Sequence, residues 1–108
     1  MKLYEVISQL DKYSDDQCIY AAQSNGTWFS ESDAFVVPNP EDGATTQIID
    51  GITAVYFLEV FLAKEILEDW GNIAGKLSFS NDEKFMVALY YAKHDTWPDP
   101  SAVDEERH

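Results

Sequence analysis

The chain is short of basic residues. It has 7 Lys and Arg against 20 Asp and Glu in 108 residues, a formal net charge of −13 with the histidines neutral. Nucleic-acid binding rests on Lys and Arg displacing phosphate counterions, so direct nucleic-acid binding is excluded as the expected activity. Trp28, Trp97 and the tyrosines could stack on bases, but no basic funnel brings a strand to them. Cysteine is scarcer still. Cys18 stands alone, which excludes an intramolecular disulfide and a cysteine-cluster metal site. Histidine occurs at His94 and His108 without supporting ligand spacing, and the EF-hand pattern is missing, so neither a metal nor another cofactor is expected. Nucleophile and phosphate-binding motifs are missing too, and so small a chain leaves little room for a deep pocket. Enzymatic activity is therefore not expected. No apolar run reaches membrane-spanning length, and the first six residues lack the apolar core of a secretory signal, which points to the cytoplasm.

What is present is the apolar content of an ordinary globular protein, 45% hydrophobic and 14% aromatic residues. A chain of this size buries about two-thirds of its unfolded surface, enough for a core without staples. We read residues 1–100 as one domain and 101–108 as a frayed polar tail. Leu3, Val6, Ile7 and Leu10 recur at helical spacing and predict a helix over 3–12. Residues 17–22 read as a strand, with Cys18 as a small buried hydrophobe rather than a reactive thiol. Asn25-Gly26 is a hairpin signal, with Thr27-Trp28-Phe29 continuing as the return strand. Residues 33–37 read as a third strand stopped by Pro38, and 38–43 as an acidic loop. The strongest helical pattern runs over 53–70, capped by Asp50 or Thr53 and ended by Gly71. Ser80-x-x-Glu83 is a capping box opening a last helix through His94, with Phe85, Ala88, Leu89 and Ala92 as its apolar stripe. The expected fold is α+β: a small antiparallel three-stranded meander packed against three helices, in the order α-β-β-β-α-α.

On a helical wheel, 53–70 places Glu59 inside an arc of Val55, Leu62, Ile66 and Trp70. A carboxylate there would be partly buried and would need a partner or a proton. The same wheel puts Phe57 and Phe61 on the opposite side as an i, i+4 pair, a candidate patch for a partner or for homodimer formation.

The segment Tyr56 to Trp70, behind a short N-terminal helix and a Trp-bearing hairpin, resembles small uncharacterised bacterial domains, a likeness that covers about residues 3–95. In size and acidity the chain is also similar to toxin-neutralising immunity proteins and to phage-encoded inhibitors of bacterial defence. Independently of that likeness, residues 13–50 hold seven acids and no Lys or Arg. Asp15, Asp16, Glu31, Asp33, Glu41 and Asp42 fall in or near turns, where they can complement a basic surface and speed encounter, with Trp28 as an aromatic anchor. The leading expectation is an acidic inhibitor of immunity type that binds a basic protein, such as a nuclease or another nucleic-acid-binding enzyme or toxin. A DNA mimic of phage anti-restriction type and a dimerising structural or regulatory module are the alternatives.

Overall fold

The structure, a computed structural model, describes residues 1–40, 43–75 and 80–96. The expected break at Trp97–Pro100, the tail at 101–108, and Glu41 and Asp42 lie outside the described residues. Helix α1 (Leu3–Ser8) buries Leu3, Val6 and Ile7, and the Lys2 amide donates to Glu5 Oε1 at 2.9 Å to cap its first turn. Leu10 keeps the apolar rhythm, but the backbone turns at Gln9 and 10–12 form a 3-10 turn rather than a continuation of the helix.

Among the described residues four strands follow: β1 (Gln17–Ala21), β2 (Ala34–Pro38), β3 (Thr46–Ile49) and β4 (Ile52–Glu59). All neighbours are antiparallel and the order is β2-β1-β4-β3. The fold is α+β as expected, but the sheet has four strands rather than three and is not a meander. Its two inner strands are the first and last in sequence. Asn25 and Gly26 do adopt positive φ, 55° and 77°, yet their turn closes a lone bridge between Ser24 and Thr27. The chain leaves the sheet there because the Trp28 indole turns toward the core, and β1 finds its partner further on, at 34–38.

The largest correction concerns the expected helix over 53–70. Residues 52–59 are a strand, and helix α2 spans Val60–Ala74. Asp50 and Gly51 are a hairpin turn rather than a helix cap: both have positive φ, 51° and 77°, and Ile49 faces Ile52 across them. That is the two-residue geometry whose twist matches paired strands. An inner strand buried on both faces reads as an unbroken apolar run, which periodicity alone does not separate from a buried helix. The β-branched and aromatic content of 52–57 decides for the strand. Gly71 is buried inside α2; the helix ends instead at Gly75, whose left-handed φ of 70° a residue with a side chain would adopt at a cost.

Pairing between β1 and β4 slips once. Ile19 faces Leu58 and Tyr20 faces Tyr56, so Phe57 is an extra residue, a β-bulge. Consecutive side chains Phe57 and Leu58 then both enter the main core, 1% and 3% exposed. Strand alternation would have sent Leu58 to the other face and turned Glu59 toward the core. The bulge reverses this. Glu59 instead faces Cys18 across the sheet and is exposed.

The helices cover one face of the sheet. Val60, Ala63, Ile66, Leu67 and Trp70 line the buried side of α2. Helix α3 (Asn81–His94) packs against α1 and α2 with Phe85, Val87 and Ala88 buried and Leu89 and Ala92 against the same core. Its expected cap is present: the Glu83 amide donates to Ser80 Oγ at 3.2 Å. On the opposite face Cys18, Tyr20 and Ala54 form a second small core with Phe35, Val37, Ile49 and Tyr56.

The corrected register separates two phenylalanines that a helix would have treated alike. Phe57→Ala is expected to cost about 3–5 kcal/mol in chemical denaturation, because it leaves a cavity in the core. Phe61, 52% exposed on α2, is expected to change stability by about 0.5 kcal/mol or less when replaced by Ala. Equal costs at the two positions would contradict the strand assignment.

Candidate functional site

The register of the sheet fixes where the acidic residues stand. Gln17, Pro38 and Glu59 lie at one end of the strands; Ala21, Ala34 and the start of β4 lie at the other. Four steps at about 3.3 Å each put these ends roughly 13 Å apart. Asp15 and Asp16 precede β1 and so sit at the Gln17 end, with Glu59. Glu31 and Asp33 sit at the Ala21 end beside β2; Asp50 points the same way but stands four residues beyond the level of Ala21, at the tip of the β3–β4 turn on the opposite edge. The acids expected in or near turns are therefore not one surface: Asp15 and Asp16 stand at one end of the sheet, Glu31 and Asp33 at the other. Turns alternate between the two ends of an antiparallel sheet, so proximity in sequence to a turn does not say which end.

At the Gln17 end, Ser14 Oγ donates to Asp16 Oδ1 at 2.5 Å and the Ser14 amide donates to Gln17 Oε1 at 3.0 Å, which holds the turn into β1. Lys64, from the first turns of α2, donates to Asp15 Oδ1 at 2.8 Å and to the Tyr13 carbonyl at 3.0 Å. This lysine, which the sequence reading did not single out, ties the acidic turn to the helix. The Asp15 side chain stays 64% exposed, so the pair contributes at most about 1 kcal/mol. Glu59 is the last residue of β4 and the N-cap of α2, with no side-chain cap bond. It is thus a surface carboxylate at a strand–helix junction, not the buried one that a helical wheel implies.

At the Ala21 end, Asp33 pairs with Lys2 at 3.3 Å, both side chains nearly half exposed, while Glu31 is exposed. Trp28 is not a free anchor. It is half-buried, its Nε1 donates to the Ala21 carbonyl at 3.2 Å, and its ring stands edge-on to Phe57 with centroids 5.1 Å apart. Its apolar surface and its single donor serve the core. Phe57 and Phe61 are likewise not a patch: the first is in the core and the second is exposed on the helix.

A cavity of about 280 Å³ lies on the face away from the helices. Its floor is Cys18, Tyr20, Tyr56 and Glu59; its other walls come from the segment that carries the chain from β2 to β3. The Tyr20 hydroxyl donates to the Ala44 carbonyl and the Tyr56 amide donates to Thr45 O at 2.8 Å, which anchors that crossing segment to the sheet. Burial pushes the Cys18 thiol up to about 11, the charge of Glu59 adds to this, and the Ile19 amide opposes it. Tyr56 is raised by the same two causes, in the same order, with a smaller contribution from Cys18. A nucleophile or general base working near neutral pH needs the opposite tuning, so Cys18 and Tyr56 hold their protons. Among the described residues no group of three His, Cys, Asp or Glu is placed to hold a metal ion, and no helix is long and apolar enough to cross a membrane.

Comparison with protein-family models, with curated proteins and with solved structures finds no match for the chain.

The Cys18 thiol gives a pH signature. Its folded value lies above the ordinary 9.0, so the folded state binds the proton more tightly. The associated stability is fully present below pH 9 and is lost as pH rises from about 9 toward 11, by at most about 2–3 kcal/mol. Urea midpoints of wild type and Cys18→Ala, compared at about pH 8 and about pH 10.5, are expected to converge at the higher pH. A constant gap between them would contradict the buried, protonated thiol.

Proposed function

We propose that the protein is a small acidic binding protein of inhibitor or immunity type, whose partner is a basic protein such as a nuclease. The observation that carries this reading is the distribution of charge over the sheet. From Tyr13 to Ala63, a stretch that includes all four strands, the chain has no Lys or Arg. Ordinary soluble surfaces intersperse both signs. Two lysines reach this stretch from outside, Lys64 to Asp15 and Lys2 to Asp33. Asp16, Glu31, Asp50 and Glu59 have no lysine partner among the described residues, so their field is directed to solvent. Such a field attracts a cationic partner over a Debye length and accelerates its encounter.

The two-ended arrangement supports this reading over a DNA mimic. Duplex DNA presents phosphate charge continuously along its axis. Among the described residues the sheet's acids stand toward two ends rather than in a continuous row, which suits a partner whose basic groups stand at two places.

Affinity capture with the purified chain from a bacterial extract, followed by titration of the complex with salt, tests the reading. The expected partner has a pI above about 9, and Kd is expected to weaken by about tenfold or more between about 50 and 200 mM NaCl. Asp16→Lys with Glu59→Lys at one end, and Glu31→Lys with Asp50→Lys at the other, are each expected to slow association by about tenfold. An acidic partner, or an affinity indifferent to salt, overturns the proposal; displacement of the chain by duplex DNA moves it to the mimic.

A further inference from the structure

The two edges of the sheet are treated differently. The outer edge of β2 is covered at its start and ends on a proline. The Ala34 amide donates to the Met1 carbonyl at 2.8 Å, the Leu3 amide donates to Ser32 O at 2.9 Å, and Lys2 bridges to Asp33. Pro38 ends that strand without an N–H to offer. Strand β3 is the opposite edge, and no described strand lies beyond it.

The direction of its backbone groups follows from the turn. In a two-residue hairpin the flanking residues, here Ile49 and Ile52, exchange both backbone bonds, and bonded and non-bonded pairs then alternate. The bond from the Tyr56 amide to Thr45 O falls where this alternation puts it. Thr45, Gln47 and Ile49 therefore bond inward to β4. Thr46 and Ile48 direct N–H and C=O outward, away from the sheet. Ile48 is also the most exposed large apolar side chain among the described residues, at 77%. In a chain with 25% charged residues, 43–49 has none. Lysine, proline, a bulge or an inward-pointing charge are the usual guards of an edge, and β3 carries none of them.

We propose that β3 pairs antiparallel with β3 of a second copy of this chain, about a two-fold axis through Gln47. With two outward-facing residues spaced i and i+2, that axis sets Thr46 opposite Ile48 of the second copy and Ile48 opposite its Thr46. Both are then bonded pairs, and all the outward N–H and C=O groups of Thr46 and Ile48 on both strands are satisfied. The side chains agree with this register. Ile48 lies beside Thr46 on one face, Gln47 beside Gln47 on the other, and Ile49 beside Thr45. The nearest acid, Asp50, falls opposite Ala44, so the two Asp50 carboxylates stand six residues, about 20 Å, apart. At physiological salt that is beyond the Debye length of about 8 Å. The interface itself is uncharged, and what opposes it is long-range repulsion between two chains of net charge −13. Pairing is thus strengthened by salt, the reverse of the dependence on a basic partner, and it requires no partner protein. A four-residue edge is small beside the roughly 1,600 Å² of a stable interface, so the dimer is a weak one.

Sedimentation equilibrium on the full chain, at protein concentrations up to about 1 mM in about 50 and about 500 mM NaCl, tests this. The expected result is a dimer whose association constant rises about tenfold or more with salt. Ile48→Lys places a charge on each outward edge, and Thr46→Pro removes an N–H that β4 does not use. Each is expected to weaken dimerisation about tenfold or more while the far-UV spectrum stays unchanged. Hydrogen exchange on wild type needs no variant: the Thr46 and Ile48 amides slow with protein concentration, and those of Gln47 and Ile49 are slow throughout. A chain that stays monomeric at both salts, a dimer that weakens with salt, one that both variants leave intact, or protection of Thr46 and Ile48 that appears on adding another protein and not with concentration, overturns the proposal.

Discussion

Everything around the junction of β4 and α2 depends on one extra residue. With Phe57 inserted opposite β1, two large apolar side chains in succession enter the core and the carboxylate after them is turned outward. A strand in strict alternation would have buried Glu59 beside Val60, Ala63 and Trp70. An unpaired carboxylate in such a place costs several kcal/mol or gives up its charge. The bulge removes that conflict within a single residue. It also sets the direction in which the chain leaves the sheet, so that Val60 is already fully buried as the first residue of the helix. Trp28 completes the arrangement by closing over Phe57 and bonding to the carbonyl of Ala21 on the neighbouring strand.

What could be read from the sequence was local. Ser80 and Glu83 cap α3 as their spacing says, Phe85, Ala88, Leu89 and Ala92 face the core, and Cys18 is a buried hydrophobe in a strand. Leu3, Val6, Ile7 and Leu10 share one buried side although the helix under them breaks at Gln9. The misreadings were non-local. Residues 52–59 are apolar on both faces because they lie inside the sheet, and this hides their period. The signal that could have found them was Asp50-Gly51, the same kind of dipeptide as Asn25-Gly26, standing between Ile48-Ile49 and Ile52. The grouping of the acids was out of reach for a different reason. Which turn lies at which end of the sheet depends on strand order and register, and those are set by pairings between residues some forty positions apart.

Charge and topology divide the molecule consistently. The lysines stand in the N-terminal segment and in the helical half, and two of them reach back to hold acids of the sheet. Among the described residues, the sheet's remaining carboxylates stand toward its two ends. Its middle, on the face away from the helices, is aromatic, with Tyr20 and Tyr56 edge to face at 6.1 Å beneath the crossing segment.

The strand order has a kinetic consequence. β3 and β4 are joined by a two-residue turn and can pair within microseconds of collapse, but β4 lies against β1 only after a loop of some thirty residues has closed. Until then the stretch 43–58, with Asp50 as its one charged residue in sixteen, is a β-prone hairpin with an uncovered apolar surface. The heavy negative charge elsewhere on the chain then acts as a gatekeeper: unfolded copies repel one another while the slow central pairing is found. In this protein the acidity that colours the native surface also protects the chain on its way there.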